Sequence, residues 1–362
     1  MRTVVFPYDR DFIPILEAKD LICRFEIARL VSFPGWGARL PEGVFNVDLC
    51  TDINRSLDQC DVLWIVNSWN PCSFYELILP MVDQAVARKM HIFITRDLSH
   101  QELEEIYAVA GELVIPISTF FNDEKIQEAL FSSLHQLSLS YIEAPVICVT
   151  GVAQNTGKFQ VQSYLKRQFE ESDYRVLWIS SRKEAITMGG YPLPEFLGHE
   201  KVCENQKILL LNNYISILEQ STRPDLIIIG VPGALMLYSK RYAKDFGATA
   251  FRIFQALTPD ILLVGSLFIN NLDNDYFEQL ETEILSRYSC EVDYHFISAY
   301  SVDFQTSEAK KEMAYLTLNG NFVLEQLRSI RRGNVFPLMN CNGKNIYTKI
   351  LRLLTQETST IV

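Results

Sequence analysis

The sequence predicts an α/β protein of two domains, each built around a mostly parallel sheet. Three observations carry that prediction. Short β-rich runs alternate with helical stretches along most of the chain, the pattern of βαβ units. The chain has 362 residues, more than one core of ordinary size accommodates. Hydrophobic residues make up 48% against 21% charged, which supplies two cores and excludes a disordered chain or a coiled coil.

In the first half, strands are expected at Thr3–Pro7, Val62–Asn67, His91–Thr95 and Glu112–Ile117, with helices at Phe74–Lys89 and Asp123–Leu137. Ser73-Phe-Tyr-Glu76 reads as a capping box, in which each side chain accepts from the other residue's backbone N–H. Asn67-Ser-Trp-Asn-Pro-Cys72 follows a strand and opens that helix, a place for a structural turn or for a substrate or partner loop. A second series starts at Pro145. Its strands are expected at Val146–Thr150, Arg175–Ser180, Leu226–Val231, Ile261–Gly265 and Tyr294–Ile297, and its helices at Lys158–Glu171, Gln206–Gln220 and Tyr276–Ser286. From Gly333 the tail is less regular and contains an amphipathic segment, Ile346–Leu354. With the boundary set between Leu139 and Pro145, the expected domains are 1–140 and 145–330, with 331–362 an extension packed on the second.

Lys+Arg number 33 and Asp+Glu 44, a net charge of −11, so nucleic acid is not bound through bulk charge. No apolar run is long enough to span a membrane and the start lacks a signal-type stretch, so a cytoplasmic protein is expected, with neither membrane nor nucleic acid as partner. The eight cysteines, at 23, 50, 60, 72, 148, 203, 290 and 341, show no C-x-x-C spacing and read as reduced, small hydrophobes. The five histidines show no metal-ligand spacing, so no metal site is expected.

The most informative stretch is Val146-Ile-Cys-Val-Thr-Gly151-Val-Ala-Gln-Asn-Thr-Gly157-Lys158-Phe159. An apolar strand enters a turn with two glycines and a lysine, and a helix follows with Val161, Leu165 and Phe169 four apart. This is the strand–loop–helix setting of a phosphate loop: glycines let successive N–H groups turn inward, the helix dipole adds partial positive charge, and lysine supplies a full one. The candidate ligand-binding residues are Gly151, Gln154, Asn155, Thr156, Gly157, Lys158 and Phe159, with Lys158 also the candidate catalytic residue. Because open sheets bind at the carboxyl ends of their strands, Ser180, Arg182, Lys183 and Gly233 join the list. Five residues rather than four separate the glycines, and Phe159 stands where a metal-ligating hydroxyl is usual.

The five-residue spacing resembles the loop of dethiobiotin synthetase-like P-loop proteins. Ser180–Glu195, Asp225-Leu-Ile-Ile-Ile-Gly230-Val-Pro-Gly233-Ala-Leu235 and Gln255–Val264 look more like one branch, the D-glutamate N-acetyltransferase-like family, in which an N-terminal Rossmann-like domain precedes the P-loop domain. The layout is also similar to that of clostridial peptide-maturation system proteins. The resemblance implies an N-terminal Rossmann-like domain and a C-terminal P-loop NTPase-like parallel sheet. It further implies ATP, another nucleotide or acetyl-CoA as the phosphate-bearing ligand, and group transfer onto an amino acid or peptide, with a precursor peptide or maturation enzyme as partner. Gly230 departs from the branch, which has an acidic residue there, so Mg²⁺ lacks both of its usual organising positions and ATP hydrolysis is expected to be weak or absent. The alternative is a catalytically degenerate accessory or scaffold protein of a peptide-modification pathway.

Overall fold

The computed structural model describes residues 1–41, 43–44, 46–120, 123–132, 138–241, 246–270, 272–338 and 344–357. The chain divides into two compact units: Met1–Glu124 with Arg182–Tyr191, and Lys125–Ser181 with Pro192–Val362. The break expected at 139–145 thus falls inside unit 2, and a ten-residue segment after residue 181 belongs to unit 1. Cys341 and part of the expected helix Asp123–Leu137 lie outside the described residues.

Unit 1 is a six-stranded parallel sheet. Its strands are β1 (Arg2–Phe6), β2 (Glu26–Val31), β3 (Asp48–Cys50), β4 (Val62–Ile65), β5 (His91–Ile94) and β6 (Val114–Ile115), in the order β3-β2-β1-β4-β5-β6. That order is the doubly wound one of dinucleotide-binding folds. β4 is apolar and buried throughout because both sheet faces are covered. On one face Val4, Leu63 and Ile65 meet Ile78, Val82 and Ile106 from the helices. Phe12, Phe25, Trp64 and Phe93 make edge and tilted ring contacts of 5.0 to 5.7 Å. Ser73 caps its helix through the Glu76 N–H, but the first turn there is a π-turn; the reciprocal capping box stands at Ser99 and Glu102.

The carboxyl ends of these strands form a polar network. Asp9, after β1, accepts from both the backbone and side-chain amides of Asn70, after β4, at 2.8 and 3.0 Å. The turn that carries Asp9, Pro7-Tyr-Asp-Arg-Asp11, has no glycine, so it lacks the dinucleotide fingerprint. The same edge holds the segment Arg182–Tyr191. Arg182 pairs with Asp11 at 2.8 Å and Glu184 at 3.4 Å, and Lys183 pairs with Asp97 at 2.9 Å. The buried Glu184 sits 3.4 Å from Thr95 Oγ1, and Thr187 O accepts from Cys23 N at 2.7 Å.

Unit 2 holds β7 (Val146–Gly151), β8 (Val176–Ser180), β10 (Leu226–Gly230), β11 (Ile261–Ser266), β12 (Tyr294–Ile297) and β15 (Val335–Pro337), in the order β15-β12-β11-β7-β10-β8, and the two-residue β9 (Tyr191–Pro192), which follows β8 in that order, begins on the last residue assigned to unit 1. The pairings among the first six run parallel. β13 (Tyr300–Val302) and β14 (Tyr315–Thr317) form a separate antiparallel pair. The main helices of this unit are Lys158–Glu170, Glu204–Thr222, Ala248–Ala256, Asn274–Tyr288 and Lys344–Glu357. From β7 the chain moves to one side for β8 and β10 and to the other for β11 and β12. The crossovers therefore diverge at β7, the place where open sheets hold ligands.

Candidate phosphate-binding loop

The loop begins where β7 ends, between β10 and β11. Val152 N donates to Gly265 O at 2.8 Å and Leu235 N donates to Gly151 O at 2.9 Å, so β11 and the segment after β10 fasten its base. Asn155 (φ 58°) and Gly157 (φ 85°) take left-handed conformations and curl the chain. Gly157 stands at the N-cap of the helix Lys158–Glu170 and has no side chain with which to cap it. The partial positive charge of the helix terminus therefore faces the loop. Lys158 Nζ donates to Ala153 O at 3.0 Å and to Gly233 O at 2.7 Å, which draws its ammonium across the loop to the turn after β10.

The other candidates separate by role. Gln154 is exposed at the tip. Thr156 is fully buried; its Oγ1 lies 3.4 Å from Ala153 O and is wedged against Gly151 and Gly265. A Cβ at position 265 would collide with the Phe296 ring and come within 2.9 Å of that hydroxyl. Ser180 is buried at the end of β8. Gly233 (φ 70°) presents its carbonyl to Lys158. Arg182 and Lys183 are engaged in the unit 1 ion pairs described above.

Phe159 faces the core, its ring 5.4 Å from that of Trp178. Gln162, 1% exposed, accepts from Trp178 Nε1 at 3.1 Å and lies directly over Gly230, where a Cβ would collide with its amide. Gly230 lies outside the left-handed region, so a side chain there would meet the Gln162 amide and not backbone strain. The two positions that usually organise Mg²⁺ are thus filled by core side chains and do not fit the ion. Among the described residues, no cluster of three His, Cys, Asp or Glu could hold a metal.

Tyr315 reaches the loop, and Tyr238 and Tyr276 lie near it. The Tyr315 hydroxyl hydrogen-bonds Asn155, and burial pushes it up to about 12. Burial, reinforced by Tyr276 and Tyr315, pushes Tyr238 up to about 12 as well. Tyr276 donates to Ser266 Oγ at 3.1 Å. Sequence reasoning missed these residues along with Gln162, Gly265 and Leu338. Only Gly265 left a signal: a glycine inside the apolar run Ile261–Ser266 marks close approach.

Among the described residues, no helix is long and apolar enough to cross a membrane. No protein-family model matches the chain, and no curated protein matches it. The signal recognition particle receptor FtsY from Elizabethkingia anophelis aligns at 15% identity over 61% of this chain and 70% of its own, with a TM-score of 0.29. A nucleotide-binding protein in complex with ADP from Archaeoglobus fulgidus aligns at 12% identity over 60% and 89%, with a TM-score of 0.27. At those scores neither bears on fold or ligand. A DUF1611 family protein from Anabaena variabilis aligns over 82% of this chain and 87% of its own at 11% identity, with a TM-score of 0.54, and the two share a two-domain α/β fold.

Proposed function

We propose that unit 2 binds a phosphate-bearing small molecule, a nucleotide or an acyl-CoA, at Gly151–Phe159. One observation carries the reading: the curled loop, a helix start with glycine at its N-cap and the Lys158 ammonium, held at Ala153 O and Gly233 O, converge at the point where the sheet's crossovers diverge. Phosphate oxygens are the chemistry such a site favours. Group transfer onto an amino acid or peptide, within a peptide-maturation pathway, is the activity we attach to this site. Its support is the resemblance of Ser180–Glu195 and Asp225–Leu235 to acetyltransferase-like P-loop proteins.

A second reading, an accessory protein that binds without turnover, is favoured by Phe159 and Gln162 at the metal-organising positions. Calorimetric titration with ATP and acetyl-CoA, each with and without Mg²⁺, tests the binding. Lys158→Ala should weaken it at least tenfold, since a charged hydrogen bond contributes about 1.5–3 kcal/mol, and chelation should change it little. Equal affinity of the variant and the natural protein for every phosphate ligand would remove the reading. Acetyl transfer from acetyl-CoA to D-amino acids or peptides, measured by mass spectrometry, separates the enzyme from the accessory protein.

A further inference from the structure

The last strand of the chain bears directly on the phosphate loop. β15 is three residues long and, among the described residues, pairs with β12, in the register His295↔Val335, Phe296↔Phe336 and Ile297↔Pro337. The next residue, Leu338, is buried with its side chain against Gly157, so close that a Cβ there would collide with it. Position 157 favours glycine for its left-handed φ, and any side chain there would also have to push Leu338 aside. A second line of contact runs through the strand itself. Phe336 stacks on Phe296 at 6.2 Å, the Phe296 ring lies against Gly265, and Gly265 lies against Thr156 of the loop.

The segment is fastened on both sides of these contacts. Before β15, Arg332 grips both oxygens of Glu281 at 2.6 and 2.8 Å, and Glu281 is 2.8 Å from His295 Nε2 on β12. His295 N donates to Asn334 O at 2.8 Å. After it, the helix Lys344–Glu357 lies on the helix Lys158–Glu170, with Tyr347 5.0 Å from Phe169 and Lys349 Nζ donating to Gly333 O at 2.7 Å. A strand as short as β15 would not hold its place alone. These anchors hold it, with Leu338 pressed on the loop between them.

We infer that Leu338 is a positioning residue of the phosphate loop, and that 332–338 is a brace that holds the loop in its anion-ready curl. Preorganisation of this kind raises affinity without adding a contact to the ligand. The consequence for ligands rests on the phosphate reading; the bracing itself does not.

The test is amide hydrogen–deuterium exchange of the full-length protein without ligand. Leu338→Ala and Arg332→Met should each speed exchange at 152–160 at least tenfold, and Leu338→Met should restore it. Leu218→Ala, the same truncation in the core of the helix Glu204–Thr222, should leave those residues protected. Unchanged exchange at 152–160 in Leu338→Ala, or an equal rise in Leu218→Ala, would overturn the inference. Inorganic triphosphate then serves as a separate probe. Its affinity should fall about tenfold in Leu338→Ala, in line with the loss of preorganisation. If the natural protein binds none of the phosphate ligands, the phosphate reading fails while the exchange result still decides the brace.

Discussion

A carboxylate at position 230 would have to occupy the space of the Gln162 amide, and a hydroxyl at 159 would replace a ring packed on Trp178. A residue that organises a metal at either position would therefore have to displace a buried side chain. Gly230→Glu combined with Phe159→Thr should lower stability in urea by about 3 kcal/mol or more, from a lost core aromatic and an unpaired buried charge. It should gain no Mg²⁺-dependent ATP hydrolysis. Adding Gln162→Ala should recover part of the loss. If it recovers none, the collision at 230 is not the cause. The departures at Phe159 and Gly230 were legible in the sequence as breaks in a pattern. Gln162 and Thr156 were not, because their roles arise from side chains meeting glycines on other strands, and no local spacing records such a meeting.

Among the elements, the strands that read clearly were the central ones. β7, β10, β11 and β12 are near-continuous apolar runs, and the expected limits fall within a residue of the observed ones. β2, β3 and β15 did not read as strands. β2 carries Arg29, whose guanidinium serves the carbonyls of Arg55 and Ser56; β3 and β15 are three-residue edge strands without alternation. Yet β15 carries one side of the proposed brace, and its anchor contains a titratable group. His295 is fully buried, and desolvation pulls its imidazole below the usual value despite its contact with Glu281. Nε2–H donates to Glu281, and Nδ1 is a buried nitrogen with no hydrogen-bond partner among the described residues. Glu281 is itself held below the usual carboxylate range by His295 and Arg332 against its own desolvation. A group depressed on folding contributes stability above its unfolded value, about 6.5 for histidine, and that stability is lost as the pH falls toward the folded value. Between pH 7.5 and 5.5 the natural protein should therefore lose more of its melting temperature than His295→Gln does. Identical pH profiles would mean that His295 takes up its proton as readily in the folded protein as in the unfolded chain.

At the scale of the whole molecule, the sequence showed two α/β domains but not that the chain returns to the first after starting the second. Arg182–Tyr191 follows β8 in sequence and belongs to unit 1, where Arg182, Lys183 and Glu184 engage residues at the ends of β1 and β5. Ion pairs between residues far apart in sequence leave no trace in local pattern, which is why Arg182 and Lys183 read as candidate anion contacts. The two pairs differ in burial, and that difference yields a prediction. Glu184 has a side chain 2% exposed, while Arg182 and Asp11 keep about a quarter of theirs, at 23% and 24%. Removing the arginine leaves a buried carboxylate uncompensated, so Arg182→Ala should cost about 2–3 kcal/mol, the lower side of the range for breaking a buried pair. Asp97 is 73% exposed, so Lys183→Ala should cost less than about 1 kcal/mol. Native-state hydrogen exchange locates the loss. In Arg182→Ala the amides of β1, β4 and β5 should open more readily, while those of β7 and β10 keep their protection. An equal effect from Lys183→Ala, or a loss that falls on β7 and β10 instead, would show that the segment contributes to unit 2 and not to the sheet whose edge it lines.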